Sequence, residues 1–180
     1  MKILIVLIAV LISVVVVMSG CFWGEDPFIN NLPAKQVELS RYLGRWYEIA
    51  RLPSWFERDL VGVTATYTLK SNGEIEVRNE GFEKTLSGAK KTAVGRAWMP
   101  DPAQSGRLKV SFFGPFAGDY VVFELDPEYR YALVGSSKDL FWLLSRTPQI
   151  DEALYQELLA KAQAAGYDLS KLIKVEQPKE

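Results

Sequence analysis

The 180-residue sequence contains no histidine and a single cysteine, Cys21. Without imidazole, the Ser-His-Asp and Cys-His nucleophile pairs, the His-Glu-x-x-His metal motif and most zinc sites cannot be assembled. One cysteine excludes an intramolecular disulfide, so the fold has to be held by its core. An excess of charge of one sign is also lacking, with 21 Lys and Arg against 22 Asp and Glu. Lys2 is the only charge before Cys21, so the chain from Cys21 onward carries 20 against 22, a formal −2. Such a balance supplies no electrostatic footprint for nucleic acid. Ser111 falls in a predicted strand with no base to activate it, and Lys109 alternates onto the outer face, so the sequence points away from an enzyme. No cofactor and no metal site is expected. The length is that of one domain with a sizeable core.

There is one long hydrophobic run, Ile3 to Val17, preceded by Met1 and Lys2 and followed by Met18-Ser19-Gly20-Cys21. A basic start, an apolar stretch of this length and small residues before a break match a secretory signal rather than a spanning helix, which needs about 20 apolar residues. The end of the run resembles a bacterial lipobox, with Met18 where Leu is usual, and this resemblance implies lipidation at Cys21. Three acyl chains at about 0.8 kcal/mol per buried CH₂ would hold the protein on its membrane. In the enterobacterial sorting pattern an Asp after the cysteine retains the lipoprotein in the inner membrane. Phe22 stands there instead, which implies the outer membrane, with the domain facing the periplasm. The expected organisation is a signal peptide over 1–20, a lipidated N-terminus and tether over 21–38, and a folded domain over 39–180. The stretch from Phe22 to Gln36 mixes Pro, Asn and Gly without a steady period, and about 15 such residues extend to roughly 50 Å.

From Tyr42 the sequence breaks into short alternating runs. Val61, Val63, Ala65, Tyr67 and Leu69 share one face, with Gly62, Thr64, Thr66 and Thr68 on the other, the pattern of a half-buried strand. Asn72-Gly73 predicts a hairpin into a strand that alternates Ile75, Val77 and Asn79 with charged residues. Later runs place Leu108, Val110 and Phe112 on one face, and Val121, Phe123 and Leu125 on another. Eight strands are predicted between about Tyr42 and Arg146, near 13 residues per strand and turn, a spacing that suits an antiparallel barrel or a sandwich of sequential hairpins. After Pro148 the period changes. Leu154, Leu158, Leu159, Ala162 and Ala165 recur at helical spacing, with Asp151 as N-cap and Gly166 as stop, so one helix is expected to lay its Leu face on the outside of the sheet. Phe141 and Leu143 alternate with Trp142, both faces being apolar, which fits a strand covered inside by the core and outside by the helix or a second subunit.

Gly44 is out of place at the start of the first strand, since glycine offers nothing to pack and signals a turn or a close backbone approach. Gly44-Arg45-Trp46, the run Asp126 to Gly135 near the seventh strand, and Arg146 at the end of the eighth, followed by a helix, resemble the three motifs of the lipocalins. Longer runs such as Arg41 to Pro53, Leu108 to Phe116 and Leu140 to Ile150 are similar to the bacterial outer-membrane branch of that family. The resemblance implies an all-β fold, an eight-stranded antiparallel up-and-down β-barrel with one C-terminal α-helix packed on its outside. It implies that Gly44 lets the backbone cross the barrel floor, that Trp46 plugs the floor, and that Arg146 covers Trp46 through a cation–π contact.

An eight-stranded barrel is either filled by its own side chains or hollow enough for one small ligand. Lipocalins take the second option. The resemblance then implies a ligand-binding interior of Val63, Tyr67, Ile75, Val77, Leu108, Val110, Phe112, Val121 and Phe123, with Trp55 and Arg58 at the mouth, where Arg58 would meet an anionic head group. The implied role is binding and storage or transport of amphiphilic lipids such as lysophospholipids and fatty acids for envelope maintenance. A homodimer is implied as well. The alternative is an assembly lipoprotein with a filled barrel.

Overall fold

A computed structural model of the chain describes residues 26–179, so the expected signal peptide and the expected lipidation at Cys21 lie outside the described residues. The eight predicted strands are present as β1 (Gly44–Arg51), β2 (Leu60–Leu69), β3 (Ile75–Glu83), β4 (Lys90–Trp98), β5 (Arg107–Phe113), β6 (Phe116–Leu125), β7 (Tyr131–Ser137) and β8 (Leu140–Ser145). Each pairs antiparallel with the next, and β1 pairs with both β8 and β2, which closes a barrel and rules out the sandwich. The hairpin expected at Asn72-Gly73 is there, with Gly73 at φ 85° and Lys70 N–H donating to Glu74 O at 2.8 Å.

The β1–β2 ladder is short, running only from Gly44↔Tyr67 to Tyr47↔Thr64. Beyond it the C-terminal segment fills the seam. The short strand β9 (Ile173–Lys174) pairs with Ala50 and Arg51 of β1. Val175 N–H donates to Ile49 O, and Gly62 N–H donates to Glu176 O. The Gln177 amide spans the gap, donating to Glu48 O at 2.8 Å and Val63 O at 2.9 Å.

Two apolar clusters hold the fold. The inner one occupies the end of the barrel where β1, β3, β5 and β7 begin, and contains Trp46, Ile75, Ala97, Leu108, Val122, Ala132 and Val134. The outer one lies between the barrel wall and the predicted helix, α3 (Glu152–Ala164), capped by Asp151 Oδ1, which accepts from Ala153 N–H and Leu154 N–H. Leu158 and Ala162 are fully buried there against Leu133, Phe141 and Leu143. The helix therefore covers the outward face of β8, one of the two covers foreseen for it.

Residues from Asp26 onward, predicted as part of a tether, instead lie on the barrel. Helix α1 (Pro27–Asn31) starts with Asp26 capping Phe28 N–H, and its Ile29 together with Leu32 is buried in the outer cluster. Arg107 of β5 clamps this segment, donating to the carbonyls of Ile29, Asn30 and Leu32. Two apolar side chains three residues apart are enough to dock one helical turn, and too few to register as a period. The barrel closes on itself and both apolar clusters are built with residues between Ile29 and Lys174, so a segment spanning 26–179 carries a closed sheet with its own core.

A second short helix, α2 (Leu39–Tyr42), leads into Gly44, whose φ of 89° turns the chain into β1. The Asp126 to Gly135 stretch has its own anchor. The Asp126 carboxylate accepts from the N–H groups of Glu128 and Arg130 and from the Arg130 guanidinium at 2.8 Å, on both oxygens. The Arg130 side chain first, and its backbone N–H with it, hold the Asp126 carboxyl down at about 2, below its ordinary 3.8. A lowered acid adds stability above its unfolded pKa and loses it as pH falls through the folded one. Asp126→Asn should therefore cost about 1–3 kcal/mol at pH 7, and the gap to wild type should close toward pH 2. Urea unfolding at the two pH values checks this, and a gap that does not depend on pH would discount the ionised clamp.

Candidate functional site: a half-filled barrel

The floor is built as expected. The Arg146 guanidinium carbon sits 3.8 Å from the centre of the Trp46 ring. Its nitrogens donate to the carbonyls of Arg45 at 2.8 Å, Arg41 at 2.7 Å and Tyr42 at 3.1 Å. Trp46 is 0% exposed and its indole N–H donates to Tyr42 O. With Nε donating to Tyr129 O at 3.3 Å, four carbonyls and one ring meet this guanidinium and fix the floor from outside while Trp46 fills it from within.

Above the floor the barrel is hollow. A cavity of about 760 Å³ opens at the end where β2, β4, β6 and β8 begin. The interior is thus neither wholly filled nor wholly empty. Of the predicted lining, Val63, Tyr67, Val77, Val110 and Phe112 border the cavity, and Trp55 does so from the mouth. Ile75 and Leu108 face inward but belong to the packed floor beneath it.

Val121 and Phe123 are a correction: they point outward, into the cluster under α3, where the Phe123 ring stacks on Tyr167 at 5.6 Å. Strand β6 is apolar on both faces, and the inward residues are Tyr120 and Val122. A bulge between Val122 and Glu124 then shifts the register, so that Leu125 returns to the inner cluster and simple alternation fails along the strand. Arg58 is exposed and stands off the cavity lining, because the one-turn 3₁₀ helix Trp55–Glu57 directs Glu57 inward in its place.

Tyr67 apart, the polar groups of the cavity went unforeseen. Near the floor, the Tyr120 hydroxyl lies 2.8 Å from those of both Tyr42 and Tyr67. Burial pushes all three phenols above their ordinary range, so they stay neutral. Three hydroxyls share two hydrogen bonds, which leaves one O–H to offer elsewhere. Toward the mouth, Glu48 of β1 and Glu57 are buried in the wall. Arg51 donates to Glu48 Oε1 at 2.6 Å and to the carbonyls of Glu57 and Leu60. Ser54 Oγ and the Trp142 indole N–H both donate to Glu57 Oε2. Burial, and then the charge of Glu57, raise the Glu48 carboxyl well above the ordinary range, against the pull of Arg51. Glu48 had a legible signal, since it lies two residues beyond Trp46 on the same strand face. Glu57 sits in a loop without period and had none.

The rim is aromatic. Trp55, Phe56, Phe113 and Phe116 are 77%, 43%, 70% and 64% exposed, on the loop after β1 and at the β5–β6 turn. Trp55 and Phe56 meet edge to face, and Phe56 in turn lies 6.5 Å from Trp142 inside the mouth.

Comparison with known proteins agrees with this architecture. Residues 37–177 match the family described as a lipocalin-like domain. The chain is 48% identical over 151 residues to outer membrane lipoprotein Blc of Escherichia coli, covering 83% of this chain and 82% of that one. It is 43% identical over 164 residues to outer membrane lipoprotein Blc of Vibrio cholerae, covering 90% and 94%. Among solved structures, the cockroach allergen Per a 4 superposes with a TM-score of 0.63 at 21% identity, over 82% of this chain and 93% of that one. With its Gly-x-Trp floor, its Arg146 cover and a hollow closed by eight sequential strands, the chain belongs to the lipocalin family.

Proposed function

We propose that this protein is a lipid-anchored carrier of the bacterial outer membrane that binds amphiphilic lipids, lysophospholipids and fatty acids among them, and stores or moves them for envelope maintenance. The observation that carries this reading is the hollow of about 760 Å³ above a packed floor. Its apolar wall of Val63, Val77, Val110 and Phe112 stabilises a buried hydrocarbon chain at about 0.8 kcal/mol per methylene. The anchor at Cys21 and the place in the outer membrane are supported by the lipobox-like Met18 to Cys21 and by the names of the relatives, and a domain facing the periplasm belongs to the same proposal. The reading is of binding rather than catalysis. A homodimer belongs to the same proposal, and sedimentation velocity decides it.

The test uses residues 26–179 after a delipidation step. Trp55 and Trp142 both border the cavity, so their fluorescence should report titration with a lysophospholipid, a fatty acid and a bulky ring compound. Saturation at one acyl amphiphile per barrel is expected. No saturable response to any of the three would turn the search toward protein partners and the filled-barrel alternative.

A further inference from the structure

The charged groups around the cavity pair one to one except at one place. Glu80, on the lining, is paired with Lys90 at 2.7 Å, Asp119 with Lys109 at 2.7 Å, and Lys91 with Glu83 at 3.0 Å. Glu48 and Glu57 are different, for two buried carboxyls face one guanidinium, and Arg51 makes its ion pair with Glu48 alone. The Ser54 and Trp142 donors that reach Glu57 Oε2 are neutral, and the Glu57 carboxyl lies in hydrogen-bond contact with that of Glu48. Among the described residues no side-chain cation pairs with Glu57. Two buried carboxyls beside one guanidinium form a set of acceptors that a further cation would complete.

Two further features of the same cavity point to what completes it. Asn79 Oδ1, on the lining, is buried with no hydrogen-bond partner, so it is an acceptor in want of a donor. The rings of Phe56 and Trp142 border the cavity, 6.5 Å apart, and Trp142 is itself bonded to Glu57. Aromatic faces beside a carboxylate are the combination that stabilises an organic cation.

We propose that Glu48 and Glu57 select the polar end of the cargo, and that it is an ammonium-bearing head group on a single hydrocarbon chain, seated at these carboxyls against Phe56 and Trp142. The chain then occupies the apolar space lined by Val63, Val77 and Val110. The inference rests on the reading of the cavity as the lipid site and narrows it. A fatty acid, whose carboxylate brings a further negative charge to this wall, binds less well than an amine of the same length.

The experiment compares three probes of equal chain length, dodecylammonium, dodecanol and dodecanoate, below their micelle concentrations at pH 7, on residues 26–179 and its Glu57→Gln variant. For the wild type, dodecylammonium should bind at least tenfold more tightly than dodecanoate, with dodecanol between them. Glu57→Gln should weaken dodecylammonium about tenfold and tighten dodecanoate. The wild-type order does not depend on the variant folding. Equal binding of dodecylammonium and dodecanoate by the wild type, or an equal loss for all three probes in the variant, would overturn the proposal while leaving a lipid carrier in place. No binding of any probe, dodecanol included, would remove both.

Discussion

Trp46→Ala should lower the unfolding free energy by about 3–5 kcal/mol, the range for removing a large aromatic side chain from a packed core. The expectation sits at the high end because Trp46 is fully buried and its ring is the surface on which the Arg146 guanidinium lies, 3.8 Å away. Its loss leaves the Tyr42 carbonyl without the indole N–H and gives Arg146 a void in place of a ring. For a domain of this size each kcal/mol corresponds to about 2–4 °C in Tm, so thermal unfolding should shift by roughly 6–20 °C. Arg146→Met separates the two halves of the device, since it keeps apolar volume and removes the bonds to Arg41, Tyr42 and Arg45. It should cost about 1.5–3 kcal/mol, as expected for hydrogen bonds to a charged group. Denaturant melts of both variants give the comparison. A Trp46→Ala cost under about 1 kcal/mol, well below the core range, would mean that the floor is held by something else.

Ala65→Trp should abolish most of the binding and little of the stability. Ala65 of β2 borders the hollow and is only partly buried, so an indole there projects into free space rather than into packed neighbours. It displaces roughly five methylenes of a bound chain, at about 0.8 kcal/mol each, a loss near 4 kcal/mol or about a thousandfold in affinity. Isothermal titration with a single-chain amphiphile measures this directly. Unchanged affinity in a folded variant would place the ligand somewhere other than the barrel.

The barrel was legible because its strands carry period-two patterns and its turns carry Gly, Asn and Pro. The motif residues Gly44, Trp46 and Arg146 were legible from the lipocalin resemblance, and all three occupy the floor. The lining was legible where one strand face is apolar and the other is not, as in β2 and β3. It failed in β6, where both faces are apolar and Val121 and Phe123 turned out to pack beneath the helix. Alternation says that residues share a face and is silent on which face that is, and a bulge breaks even the alternation. The predicted tether failed for a related reason, for Ile29 and Leu32 dock one helical turn in a stretch with no longer pattern. Arg58 was the natural choice of mouth residue by charge, yet a single 3₁₀ turn settles which side chain enters, and that turn buries Glu57. Buried carboxyls such as Glu48 and Glu57 run against composition rules, so they are visible only once the wall they stand in is known.

The seam between β1 and β2 bears on how the chain reaches its folded state. Gln177 bonds to residues 129 and 114 positions earlier, and β1 also takes its ladder from β8, near the far end of the barrel. A polypeptide emerging from its N-terminus presents β1 long before these mates exist, and until then the strand is an open edge, the kind of surface that recruits foreign strands. Assembly dominated by such distant pairings runs on the millisecond-to-second scale. The segment from Ile173 to Gln177 thus acts as a clasp, and a nascent chain that lacks it is the species most in need of a chaperone.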